Sequence, residues 1–321
     1  MAKKIKRGIC IAGILACALL VLSNPKAASS GALQGVLLCG EVAIPSLFPM
    51  TFLTVMLCRI SGGGMLPVWL LSLISGYPVG ARLLKNRAEN GVISEQQAKR
   101  GMLFCVNAGP AFVVTAVGYA CLGNLRLGWL LLGAHLLGSL SVFLIFKKGV
   151  MQKPHAQKES EPFLDTFTLS AYESANAMMQ ICAWIILFSA FCTVLQSSPL
   201  PDPMKRALLA TAEITNAVTQ YRSPVLLSFL LGFGGFCVHF QALSAGRNIR
   251  PPYLLFLAAR LLHGAIAAAA CFLLLKCFPI AVETATVQLS SARENHIAAF
   301  CSLLFTLLVF AVSLRNYRKK V

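Results

Sequence analysis

A carboxylate inside an apolar stretch is the first residue that asks for an explanation. Glu213 stands in Glu213-Ile214-Thr215-Asn216, within the short apolar segment Met204–Val218. A charged side chain at membrane depth costs roughly 2.5–3.5 kcal/mol on insertion scales. Such residues face a cavity and mark an ion or solute path. Nearer an interface, Glu213 would simply be solvated. The path reading is preferred, with Glu213 as the group that would hold a coupling cation, Na+ or H+.

Three further constellations interrupt apolar segments. Ser75-Gly76-Tyr77-Pro78-Val79-Gly80-Ala81-Arg82 carries two glycines and a proline, residues that let backbone leave a helix. The freed carbonyls and amides could face a ligand, or the motif could be a turn ending a short helix. Asn107-Ala108-Gly109-Pro110-Ala111-Phe112 places a proline inside an apolar run. Proline removes one helical hydrogen bond, and Asn107 offers an amide beside the freed carbonyl. A kink serving packing alone is equally consistent. Gly234-Gly235-Phe236-Cys237-Val238-His239-Phe240-Gln241 pairs two glycines with two polar side chains, His239 and Gln241. A histidine in a span is as often a satisfied packing residue as a ligand. The candidate site is therefore Gly76, Tyr77, Pro78, Asn107, Gly109, Glu213, Thr215, Asn216, His239 and Gln241. Glu41, Glu173, His135, Arg260 and His263 form a second rank; Arg260 and His263, three apart, would share a helix face.

The elements that position these residues are membrane helices. The chain has 321 residues, 57% hydrophobic and 12% charged. A soluble domain carries about 25% charged residues, so this chain has half the charge a water-facing surface needs. Mean hydropathy is +0.73. The lipid bilayer is the expected solvent. A spanning helix needs about 20 apolar residues. Ile9–Leu22, Gly35–Cys58, Gly101–Leu122, Leu127–Phe146, Thr168–Leu195, Pro224–Ala245, Tyr253–Phe278 and Ile297–Leu314 qualify as spans. Met65–Ala81 and Met204–Val218 are apolar but short and broken. The expected fold is all-α: a polytopic bundle of about eight spans and two broken or re-entrant segments.

Charge sets the expected orientation. The formal net charge is +17. It lies between spans, with no long basic run, so a nucleic-acid role is not expected and the positive-inside rule accounts for it. Twenty Lys and Arg can share one side, including Arg59, the Arg82–Arg100 loop and both tails, against six on the other. The basic side is cytoplasmic, with both termini. Met65–Ala81 must then enter and return. Each half reads as long span, broken segment, span, span, starting from opposite sides, an inverted repeat that would carry a transporter's central site. The expected division is 1–34 anchor and outer loop, 35–146 first repeat, 147–167 cytoplasmic linker, 168–278 second repeat, 279–321 final span and basic tail. The basic N-terminus and first apolar run resemble a signal peptide, but an uncleaved anchor is preferred.

Other chemistry lacks a signature. Twelve cysteines form no CxxC and no disulfide framework. No P-loop, HExxH or GxSxG occurs, so neither metal site nor enzyme is expected. Transport would draw on an ion gradient, the solute's own gradient or a separate subunit.

Taken together, Ser75–Arg82, Asn107–Phe112, Glu213–Asn216 and Gly234–Ser244 resemble the sporulation integral membrane proteins of the YlbJ type. Those contain two nucleoside-recognition, or Gate, domains similar to parts of concentrative nucleoside transporters and of ferrous-iron transport proteins. The resemblance covers roughly residues 35–278. It implies a bacterial inner membrane, a role linked to spore formation, and transport of a nucleoside-like or other small polar solute. Gly76, Tyr77, Pro78, Gly80, Asn107, Glu213, Asn216, Gly235, Gln241 and Ser244 match its motifs. Ala217 stands where the pattern has glycine, and Ala108-Gly109-Pro110 is a variant form. The rival expectation is a non-transporting scaffold for spore-envelope assembly, alone, as a homo-oligomer or with membrane partners.

Overall fold

Where no water reaches the backbone, its N–H and C=O groups must bond to each other, and the helix is the local way to do so. The computed structural model describes residues 2–61, 63–150, 162–215, 218, 221–278 and 280. The described elements are helical: α1 Ala2–Ser23, α2 Pro25–Leu38, a π-helical turn Cys39–Ala43, α3 Ile44–Ser61, α4 Met65–Ser75, α5 Val79–Glu89 and α6 Glu95–Gly101. A second π-helical stretch, Ala111–Cys121, follows, called π2 below. Then come α7 Leu125–Phe146, α8 Phe163–Gln196, α9 Asp202–Ala212, α10 Pro224–Phe233, α11 Gly235–Ala245 and α12 Tyr253–Cys277.

Among the described residues, four stretches are long and apolar enough to cross a membrane: α7, α8, the α10–α11 pair and α12. A fifth is available if Ile11–Ser23 and Pro25–Glu41, bent by 96°, act as one. The sequence expectation of eight spans differs here for physical reasons. Gly101–Leu122 is no single helix. The helix α6 ends at Gly101, residues 106–109 have no helical structure, and only Ala111–Cys121 is coiled again. Gly35–Cys58 is divided by the π-helical turn, leaving Leu47–Ser61 as a shorter apolar helix. Arg82–Arg100 is not a loop: α5 and α6 fill it, and a Ser94/Gln97 capping box starts α6. Ile297–Leu314 lies outside the described residues.

Small residues set the packing. With lipid as solvent, helices gain from close backbone approach, which glycine permits. Gly31 and Gly35, four apart on α2, lie against α8: a Cβ on Gly35 would fall 2.7 Å from Ile186 Cα. Gly118 of π2 meets Gly128 of α7, and Gly232 of α10 meets Gly264 of α12, where a Cβ on Gly232 would sit 2.6 Å from Gly264 Cα. The two long helices α7 and α12 pack on each other at the centre. At 34 residues α8 is about 51 Å long, far more than a bilayer core of about 30 Å, and it packs on α2 and α3.

Candidate functional site

The first break is a chain reversal. Gly76 takes φ +78°, which favours glycine, and Tyr77–Pro78 is cis. Gly101 touches both Met65, at the start of α4, and Leu84, in α5. The hairpin α4–α5 therefore folds back on itself, with its tip at Gly76–Pro78. No side chain fits at the tip: a Cβ on Gly76 would fall 2.9 Å from Gly109 N, and Gly80 lies directly on the Cys105 carbonyl.

Gly109 belongs to the irregular stretch between α6 and π2, several of whose backbone groups are bonded from the side. Arg260 of α12 donates to the Leu103 carbonyl at 2.5 Å and to the Val106 carbonyl. The Ala108 N–H donates to His135 Nε2 at 3.0 Å. Asn107, fully buried, donates through Nδ2 to Ser72 Oγ and to the Phe104 carbonyl, both at 2.9 Å. Its Oδ1 has no partner.

The second break has a parallel construction. Glu213 ends α9 in extended backbone and is 9% exposed. Thr215 Oγ1 donates to Glu213 Oε1 at 2.9 Å. Asn216, expected beside them, lies outside the described residues. Gly234 and Gly235 separate α10 from α11 with φ of +86° and +76°. A Cβ on Gly235 would meet the Thr211 carbonyl and Ile214 N at 3.3 Å each. So the tip of each hairpin or broken helix presses on a glycine break in the next apolar segment: Gly76 on Gly109, and Ala212–Ile214 on Gly235.

The two breaks come into electrostatic reach of each other. The Tyr77 hydroxyl is buried without a partner and lies within range of Glu213, Arg260 and Cys237. Gln241 is buried and donates to Cys237 Sγ at 3.3 Å. It shares a pocket of about 10 Å3 with Pro78, Arg82, Gln180 and Trp184. His239 points elsewhere. Its Nε2 lies 3.0 Å from the Phe233 carbonyl and its Nδ1 3.4 Å from the Tyr253 hydroxyl, among the rings of Phe233, Phe236 and Phe256. It closes the hydrogen bonding at the α10–α11 break.

Three residues of the second rank are buried beside the irregular stretch. Arg260 is 1% exposed, and His135 and His263 are fully buried with rings 4.5 Å apart. Their signal was present: three ionisable side chains in apolar helices, two spaced i, i+3. Glu173 also gains a defined role. Its carboxylate accepts from Arg59 at 2.6 Å and from Asn86 at 2.9 Å, and its carbonyl from Arg82 at 2.5 Å. Glu173 thus ties α3, α5 and α8 together. Among the described residues no group of three metal-ligating side chains occurs.

Similarity to known proteins agrees with this architecture. The chain is 26% identical to the sporulation integral membrane protein YlbJ of Bacillus subtilis, over 80% of this chain and 79% of that protein. That similarity supports a membrane protein of the YlbJ type. Its apolar helices and this relationship together support a multi-pass membrane protein. No family model matches the chain, and no solved structure does.

Proposed function

We propose that this YlbJ-type protein is a secondary transporter in the bacterial cell membrane that serves sporulation. Its solute would be small and polar, nucleoside-like in the reading that the Gate resemblance suggests. The carrying observation is the paired construction: two breaks, each seated on a glycine break, with Tyr77 and Glu213 in electrostatic reach of each other. Broken helices at corresponding places in two halves are how transporters build a central site. In this reading residues 35–146 and 168–278 are inverted repeats, with both termini cytoplasmic. Tyr77, Asn107 and Arg260 hydrogen-bond the solute, and Gly76, Pro78 and Gly109 shape the backbone around it. Glu213, with Thr215 and Asn216, holds the coupling Na+ or H+. His239 holds the second break in shape, and Gln241 lines the approach.

A second reading is favoured by one observation: the pocket at the breaks is only about 10 Å3. So small a pocket suits a scaffold for spore-envelope assembly, with the breaks serving packing and partner binding.

Uptake into proteoliposomes separates the two. Labelled uridine and a panel of small polar solutes are offered with and without Na+ and pH gradients. The transporter reading expects gradient-driven uptake that falls at least tenfold, about 1.4 kcal/mol, in Glu213→Gln. If Glu213→Gln and Asn216→Ala both leave uptake unchanged, the site is wrong. If the unmodified protein carries nothing in the panel, the scaffold reading takes over.

A further inference from the structure

A cation stands in the wall of a small pocket, and among the described residues no carboxylate is hydrogen-bonded to it. Arg82 lines the pocket formed by α5, α8 and α11, with Gln180, Trp184 and Gln241 around it. Its one hydrogen-bond acceptor among the described residues is the carbonyl of Glu173. The carboxylate of that same residue is committed elsewhere, to Arg59 and Asn86. A guanidinium has five N–H donors in a planar fork, so several of them are left for a ligand.

We propose that this pocket binds an anionic terminal group, a carboxylate or phosphate oxygen pair, with Arg82 as its anchor. The surrounding chemistry suits that ligand. Arginine matches planar or tetrahedral oxyanions through paired hydrogen bonds. The amides of Gln180 and Gln241 supply further donors. Trp184, stacked on Phe240 with ring centroids 5.7 Å apart, forms an apolar wall that strengthens electrostatic attraction beside it. The cavity of about 10 Å3 seats roughly one water-sized group. An anion therefore enters by its oxygens and not as a whole molecule. Such a group could belong to a free anion or to a lipid headgroup, and the chemistry is the same. Binding here is independent of whether the protein transports, because it is read without any flux.

Trp184 reports occupancy. The protein in neutral detergent is titrated with inorganic phosphate and, separately, with acetate, following tryptophan emission. A saturable change is expected, and it disappears in Trp184→Phe, which keeps Trp69 and Trp129. In Arg82→Gln the apparent Kd rises at least about tenfold, as loss of a charge-assisted bond requires. Arg82→Lys keeps the charge without the fork and falls between. Should Arg82→Gln fail to fold, Gln241→Leu is titrated instead and weakens binding severalfold. The lipid source is tested in nanodiscs: phosphatidylglycerol competes with phosphate there and phosphatidylcholine does not, if a headgroup is the occupant. Equal phosphate affinity in both nanodiscs assigns the site to a free anion. No Trp184-dependent change with either anion, or one unaltered by Arg82→Gln and Gln241→Leu, overturns the proposal.

Discussion

The imidazole rings of His135 and His263 lie 4.5 Å apart, centroid to centroid, and are tilted by 34°. Each stands ten residues into its helix, counted from Leu125 and from Tyr253. Their tautomers follow from the backbone. The Ala108 N–H donates to His135 Nε2, so the neutral His135 ring carries its proton on Nδ1. His263 Nε2 faces the His135 carbonyl oxygen at 3.1 Å, so it donates, and Nδ1 keeps the lone pair. The pair thus joins the two central helices to the irregular stretch that carries Asn107.

His135→Phe keeps a ring against His263 but leaves the Ala108 N–H buried without an acceptor. An unsatisfied buried donor costs about 1–3 kcal/mol. Thermal unfolding in detergent should show a loss of that size. A variant as stable as the parent would mean that the Ala108 bond contributes nothing.

Gly232→Ala tests a close backbone contact between α10 and α12. Its new Cβ would fall 2.6 Å from Gly264 Cα and 2.7 Å from Gly264 N. Backbone cannot yield as a flexible side chain does, so α10 and α12 must separate, at a cost of about 1–3 kcal/mol or more. Gly133→Ala is the control, because its Cβ would meet only Leu274 Cδ1, at 4.0 Å. In a helix interior that change is neutral or stabilising by up to about 1 kcal/mol. The ratio of the two unfolding temperatures decides whether backbone approach or glycine count matters here.

Much of this architecture was legible in the chain. Leu127–Phe146, Thr168–Leu195 and Tyr253–Phe278 read as spans because uninterrupted apolar runs of that length have few other uses. The breaks at Gly76–Pro78 and Gly234–Gly235 were legible because glycine and proline announce their backbone. Gly101–Leu122 misled because hydropathy does not register hydrogen bonding: its middle is apolar yet unwound, held by Arg260 and His135 from other helices. Those contacts span more than a hundred residues for Arg260 and 27 for His135, so no local pattern could carry them. His239 bonds to the break in its own segment, and composition alone cannot tell such a residue from a ligand.

Glu173→Gln should loosen the junction of α3, α5 and α8. The carboxylate holds Arg59 at 2.6 Å with side chains only 23% and 16% exposed, and it also holds Asn86. Removing its charge weakens the bond to Arg59 in a partly dry site, a loss of about 1–3 kcal/mol. Glu89→Gln breaks a looser pair, Lys85–Glu89 at 3.8 Å with side chains 32% and 48% exposed. That change should stay within about 0.5 kcal/mol. Equal effects of the two variants would show that the junction is held by apolar packing alone.

Tyr77→Phe separates folding from function at the first break. The Tyr77 hydroxyl is buried with no protein partner. A hydroxyl desolvated without a hydrogen bond costs about 1–3 kcal/mol, so removing it should leave the protein as stable or more so. The ring stays, and with it the contact between the hairpin tip and its neighbours. If Tyr77 serves the solute, uptake into proteoliposomes falls while the unfolding temperature holds or rises. A drop in stability instead would place a structural water on the hydroxyl. Unchanged uptake together with unchanged stability would remove Tyr77 from the solute site and leave Glu213 to carry it without the first break.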